Sequence, residues 1–147
     1  MPEKATLQRA DKDRREGKAP STQAGEFVRE EIEHVREGKH GARSSRQAIA
    51  IGLSKARRAG VALPPPRKGA TSRRTRRQAV RDARAGSRAV STRRSRATLR
   101  ALAREGRAAG SREALSRQGR KAAARRSKRS RSRAASRAAA TRKRGGR

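Results

Sequence analysis

The side chains with the clearest chemistry in this sequence are arginines, which recur in dense runs over its second half. Arginine outnumbers lysine by 35 to 9. The guanidinium is planar, stays charged at any relevant pH and can bind a phosphate through two parallel hydrogen bonds. We predict phosphate contacts at the following residues: Arg73, Arg74, Arg76, Arg77, Arg93, Arg94, Arg96, Arg125, Arg126, Lys128, Arg129, Arg131, Arg133, Arg142, Lys143 and Arg144.

A smaller group of cations lies before the three consecutive prolines at positions 64–66 and offers secondary contacts to nucleic acid. An exposed basic face without a ligand would explain this group equally well. A helix-turn-helix reader needs a third helix and a larger core than the sequence offers. With one Phe and no Trp or Tyr, the chain also lacks the stacking surfaces of RNA and single-strand binders. Duplex DNA, bound without sequence specificity, is therefore favoured over RNA. The secondary contacts are Arg43, Arg46, Lys55, Arg57 and Arg58.

No constellation in the sequence points to catalysis. His34 and His40 are the only histidines, and there is no cysteine. Glu31 and His34 form a single Glu-x-x-His spacing, whereas a di-iron bundle needs two such motifs and further carboxylates. We therefore expect no enzyme activity, no catalytic residue, no metal site and no cofactor, with Glu31 and His34 on a solvated helix face.

The charge of the chain is strongly asymmetric. Residues 1–63 hold 14 basic and 9 acidic residues, whereas residues 64–147 hold 30 basic and 3 acidic residues. The formal net charge of +32 could neutralise roughly 54 Å of duplex DNA, which carries one phosphate per ~1.7 Å of axis. Nucleic acid is the expected partner; no apolar run suits a membrane, and no small molecule is expected. We expect a cytoplasmic, nucleoid-associated protein.

Residues 21–63 have the pattern of an α-helical hairpin. Ser21 or Thr22 is a suitable N-cap for the first helix. Ser44 and Gln47 have the spacing of a capping box at the start of the second, and Gly60 suits a left-handed C-cap at its end. Apolar residues at helical spacing should pack the hairpin or a homodimer: Phe27, Val28, Ile32, Val35, Ile49 and Leu53.

The first of these helices carries five glutamates on its other face. They would either pair with basic residues of the second helix or hold the basic tail in cis until nucleic acid competes for it. Both alternatives follow from the charge pattern alone.

The low apolar content and high charge predict a mostly α protein with extensive disorder. The expected segments are a flexible charged leader (1–20), the hairpin (21–63), a Pro-rich linker (64–70) and an Arg/Ala/Ser-rich tail (71–147). Nascent helices are expected in the tail near 73–85, 95–105, 111–124 and 131–140. Repulsion between arginines should melt them in solution, and a polyanion should restore them.

The segment "SRQAIAIGLSKARRAG", within residues 25–60, resembles a group of small basic bacterial proteins of unknown function. Their shared core motif is R/K-Q-A-I-A-I-A/G-L-S. The resemblance implies a bacterial source and a chromosome-associated role, and it carries over no catalytic residue. The tail is also similar in composition to linker histones and protamines.

Together these observations predict a histone-like protein that binds and compacts DNA through arginine–phosphate contacts. One alternative is an RNA- or ribosome-associated basic protein. Another is a helical protein-interaction module whose basic tail only directs its localisation.

Overall fold

The computed structural model describes residues 1–86 and 91–145, and within them the chain is helical with no strand. Helix makes up 73% of the described residues. The chain divides into two compact units, Met1–Ser111 and Arg112–Arg147. The helices are α1 (Lys4–Arg15), α2 (Pro20–Glu37), α3 (Ser45–Arg58), α4 (Arg73–Ala85), α5 (Thr92–Ala103), α6 (Arg112–Ala124) and α7 (Lys128–Gly145), with a 3₁₀ turn at Ala108–Gly110.

The packing of α2 against α3 forms the centre of the first unit. Small residues bring the two helices together: Ala24, Ala48 and Ala56 are fully buried. A Cβ at Gly52 would lie 2.7 Å from the Val28 Cα, so the backbones approach closely there. Among the predicted packing residues, some are fully buried and the others half-buried. The fully buried residues are Phe27 and Val35; the half-buried ones are Val28, Ile32, Ile49 and Leu53.

The predicted N-cap Ser44 and the left-handed Gly60 of α3 are confirmed, but the capping box is only half formed, because Gln47 accepts from the N–H of Arg43 and not from that of Ser44. Ser44 Oγ accepts a hydrogen bond from the Gln47 N–H at 3.2 Å, and Gln47 Oε1 accepts one from the Arg43 N–H at 2.7 Å. Gly60 is left-handed, with φ of 92°. For α2 the predicted N-cap is wrong: the helix begins at Pro20, which needs no acceptor for an N–H in the first turn.

The expected flexible leader is wrong, because α1 packs against α2. Thr6, Ala10 and Asp13 recur at helical spacing and are buried. The Glu3 N–H also donates to Glu30 Oε2 at 3.0 Å. Small side chains and hydrogen bonds, and not large apolar residues, hold α1 against α2. The pattern of apolar residues therefore does not indicate this helix.

Residues 71–111 belong to the first unit, although they were expected in a disordered tail. Helix α4 contacts α3 through a face that includes buried Ala79 and Asp82. The end of α5 and the segment after it contact the α2–α3 loop and the start of α3. The Gly41 N–H donates to the Leu102 carbonyl at 3.0 Å, and Ser45 Oγ donates to the Ala109 carbonyl at 2.5 Å. A side chain at Gly41 would overlap the Glu105 carbonyl. These contacts use backbone atoms, so composition could not reveal them.

Extensive disorder is also wrong for the second unit, where α6 and α7 form at the two positions expected for nascent helices. No residue described in either helix is buried. Ala and Arg are strong helix formers, and the Ser130 N–H donates to Ser127 Oγ at the start of α7. Local preference therefore outweighs repulsion between the arginines.

No helix within the described residues is long and apolar enough to cross a membrane.

Replacing Gly52 with Ala should destabilise the first unit by about 1–3 kcal/mol, because the new Cβ would press on the α2 backbone. The matched control is Gly25→Ala in α2, where a Cβ would meet nothing within 4 Å. That change should raise stability by about 0.5–1 kcal/mol, since Ala is the better helix former. Thermal unfolding followed by circular dichroism distinguishes the two. Equal melting temperatures for both variants would contradict the close α2–α3 contact.

Candidate nucleic-acid interface

The carboxylates of the first 63 residues are engaged in ion pairs. All nine acids there except Glu33 pair with at least one cation. The Arg14 and Arg15 guanidiniums, for example, hold the pKa of Asp11 below its usual value. Every partner of an α2 glutamate within the described residues belongs to residues 1–63. Among the described residues these glutamates therefore pair within residues 1–63, and two of them pair with Lys55 of the second predicted helix.

The most buried of these ion pairs join α2 to α3. Glu30 and Glu31 are only 2% and 1% exposed, and Lys55 Nζ lies 3.0 Å from Glu30 Oε1 and 2.7 Å from Glu31 Oε2. Burial lowers the pKa of Lys55, but hydrogen bonds and charge from both glutamates leave it raised. Burial likewise raises the pKa of Glu30, yet hydrogen bonds from Glu3, Thr6 and Lys55 leave it lowered.

The cations that follow the prolines have the opposite environment. Every Lys or Arg between residues 67 and 144 that the structure describes is exposed. None of these described side chains forms an ion pair with a described carboxylate. All the predicted phosphate contacts, from Arg73 to Arg144, belong to this set. Their positive charge is therefore directed to solvent without neutralisation.

Helix α4 shows how the fold directs this charge. Ala79 and Asp82 face α3 and are buried. At 100° per residue, Arg73, Arg77 and Arg84 lie on the opposite side of the helix. These three positions extend over ~16 Å of helix axis. The packing of α4 thus fixes a row of arginines that points away from the protein.

The predicted secondary contacts are only partly available. Arg43 and Arg46 are exposed. Lys55 is held by the two buried glutamates, and Arg57 is only 7% exposed. Arg58 is half-buried and lies 3.8 Å from Asp82 Oδ1. Lys55 and Arg57 are thus withheld from solvent, because the α3 face that bears them packs against α2 and α4.

A cleft of about 810 Å³ lies between α3 and α4 and is lined in part by Arg43, Arg57 and Arg74. Arg57 Nε is buried there with no hydrogen-bond partner among the described residues. Burial lowers the pKa of this guanidinium, while the nearby Asp82 charge opposes that effect. Arg74 of α4 thus lines the same cleft as Arg43 and Arg57. Sequence reasoning missed it because it depends on α4 folding back onto α3.

The expected solvated face at Glu31 and His34 is also wrong. Glu31 Oε1 lies 3.1 Å from His40 Nε2, and His34 Nε2 lies 2.8 Å from Glu3 Oε1. Glu31, His34 and His40 each offer a donor atom within 4.8 Å of the others. These are residue types that hold metal ions. The sequence contained only the Glu-x-x-His spacing as a signal, and His40 could not be added without the turn that follows α2.

The region from α1 to the prolines also has a counterpart among known families. Residues 5–68 match DUF6496, a family of unknown function. The matched region contains α2, α3 and all of α1 but its first residue, includes the buried Lys55 ion pairs and covers less than half of the chain. No curated protein and no solved structure matches the chain. This match indicates no activity, and the arginine-rich helices lie beyond the matched residues.

Replacing Lys55 with Met should destabilise the protein by about 3–5 kcal/mol, because two buried carboxylates would lose their shared cation. The control is Lys12→Met, whose side chain is 75% exposed and lies 3.9 Å from Glu16. That change should have little effect. Urea unfolding measures both. A Lys55→Met protein as stable as the control would contradict a stabilising role for the pair.

Stability should fall when the pH is lowered from 4.5 towards 2. Hydrogen bonds from His34 and Lys39 lower the pKa of Glu3 to about 2, and the pKa of Glu30 is also below 4.5. Between these values the unfolded state binds more protons than the folded state, so acid favours unfolding. Urea midpoints at pH 7, 4.5 and 2.5 test this. A midpoint unchanged at pH 2.5 would show that these carboxylates contribute nothing to the fold.

Proposed function

We propose that this protein binds duplex nucleic acid, DNA in the first place, through phosphate contacts made by the exposed cations of α4 to α7. The single observation that carries the proposal is that these cations are exposed and unneutralised over the described residues from 67 to 144. A row of like charges held in this way repels itself, and a polyanion relieves the repulsion.

The distribution of acids argues against a merely solubilising role for the charge. Acidic residues would increase solubility at least as well. Here most of them pair with cations of residues 1–63, and residues 112–147 hold fifteen basic residues and one acidic residue. A surface with this composition has phosphate as its natural counter-charge.

The folded state of the tail changes how binding would occur. Cations on formed helices need less ordering on binding than cations on a disordered arm, so less conformational entropy opposes association. Both units carry such cations, with ten arginines on α4 and α5 alone. Two cationic surfaces in one chain would let a single molecule contact two duplex segments, which is the basis we propose for compaction.

Binding without base recognition is supported by the one aromatic residue. Phe27 is fully buried, so no Phe, Tyr or Trp is available to stack on a base. We therefore assign the contacts to phosphates, whose spacing does not depend on sequence. A nucleoid location follows from this proposal as its consequence.

The triple variant Arg129/Arg131/Arg133→Gln should weaken the salt dependence of DNA binding. Each phosphate contact contributes a slope of ~0.9 to a plot of log affinity against log salt, so the slope should fall by ~2–3. Fluorescence anisotropy with a labelled duplex at several salt concentrations gives this slope. The matched control is Arg9/Arg14/Arg15→Gln, which removes the same charge from residues already paired with Glu26 and Asp11.

The control should keep the slope of the unaltered protein. Equal losses in the two triple variants would contradict the proposal, since total charge and not the α7 cations would then govern binding. Competition with structured RNA at matched salt tests whether DNA or RNA is the preferred ligand. If RNA displaces labelled DNA at a lower concentration than unlabelled DNA does, the preferred ligand is RNA.

A further inference from the structure

A cluster of nitrogen and oxygen donors lies at the C-terminal end of α2, apart from the exposed arginines. Glu31 and His34 are one turn apart on α2, so their side chains share a face. Gly38 then takes a left-handed conformation, with φ of 78°, and the Lys39 N–H donates to the His34 carbonyl. This tight turn brings His40 back beside the helix. The two imidazole rings lie 5.8 Å apart and are perpendicular.

The orientation of His40 is fixed by the backbone. Its Nδ1 lies 3.0 Å from the Gly41 carbonyl oxygen, which can only accept a hydrogen bond. Nδ1 must therefore carry a proton, and in the neutral ring Nε2 has a lone pair. That lone pair faces Glu31 Oε1 at 3.1 Å. Two lone pairs that face each other at this distance need a proton or a metal ion between them.

The pattern of outer contacts is the one that metal ligands use. Histidines that bind metals usually donate their other ring N–H to a carbonyl or carboxylate, as His40 does to Gly41. Glu31 is 1% exposed, and its second oxygen is held by Lys55 at 2.7 Å, which leaves Oε1 for the cluster. The His34 and His40 side chains are 13% and 9% exposed. The three donors are thus largely shielded from water and restrained.

Glu3, at the start of the chain, lies beside His34 at the edge of this cluster. Its Oε1 lies 2.8 Å from His34 Nε2 and 3.1 Å from Lys39 Nζ. Zinc-bound nitrogen and oxygen atoms lie ~2.0–2.2 Å from the ion, which places tetrahedral ligands roughly 3.4 Å from one another. The donors of Glu31, His34 and His40 lie within 4.8 Å of each other, so small side-chain rotations would bring them to that spacing.

We propose that Glu31, His34 and His40, with Glu3 as the fourth ligand, bind one zinc-class divalent ion. Two imidazoles with carboxylates select Zn²⁺, Co²⁺ or Ni²⁺ over Mg²⁺ and Ca²⁺, which take all-oxygen sites. The ion would tie the start of α1 to the end of α2 and its following turn. The site is independent of the phosphate contacts, so either proposal can fail without the other.

The direct test is titration of the full chain with Zn²⁺ while both imidazoles are observed by NMR. The chain has only two histidines and no cysteine, so both resonances report on this site. One equivalent of Zn²⁺ should shift both imidazoles and raise the melting temperature. Co²⁺ should give the visible absorption of a four-coordinate ion. Because metal binding to an imidazole releases protons, acid should weaken Zn²⁺ binding.

Variants locate the site. His34→Gln and His40→Gln should each weaken Zn²⁺ binding by more than about 100-fold, beyond the loss that outer-contact changes cause. Glu33→Gln, an exposed change on the same helix, should leave it unchanged. Imidazoles that do not shift with one equivalent of Zn²⁺ would overturn the proposal, as would full binding by the His34/His40 double variant. The titration of the unaltered protein needs no variant, so it remains valid if one does not fold.

Discussion

The two carboxylates that α2 buries against Lys55 are the interaction on which the rest of the first unit depends. Glu30 and Glu31 are almost inaccessible to water, and a single ammonium from α3 lies between them. Glu30 also accepts the Glu3 N–H, and Glu31 faces His40. One cluster therefore connects α1, α2, α3 and the turn after α2. In a protein with so few large apolar residues, this polar centre and a set of buried alanines replace the usual hydrophobic core.

The same cluster determines where the charge of the protein lies. Because acids near the core pair with the cations of the first 63 residues, they are unavailable to neutralise the arginines that follow. Helix α4 turns Ala79 and Asp82 inward and its arginines outward, and α5, α6 and α7 add further exposed cations. The separation of an internally paired region from an unpaired basic surface is thus a consequence of the fold. It gives the phosphate-binding proposal its physical basis.

The sequence predicts those features of the fold that depend on residues close together in the chain. The capping residues of α3 and the left-handed Gly60 act within a few positions, and the helices of the tail follow from the preferences of Ala and Arg. The leader was missed because α1 packs through Thr6 and Ala10, which no hydrophobic pattern distinguishes. The sequence does not predict the packing of residues 102–110 on the α2–α3 loop, because that packing depends on hydrogen bonds to backbone carbonyls. The burial of Glu31 could not be predicted either, since its partners lie on other elements.

The claim that most needs testing is that the exposed arginines, and not the paired ones, contact phosphate. Arginine-selective chemical modification of the full chain, read by mass spectrometry with and without duplex DNA, measures this residue by residue. DNA should protect Arg73, Arg77 and the arginines of α7, while Arg14 and Arg15, which pair with Asp11, should keep their reactivity. Protection spread equally over both groups, or confined to Arg14 and Arg15, would contradict it.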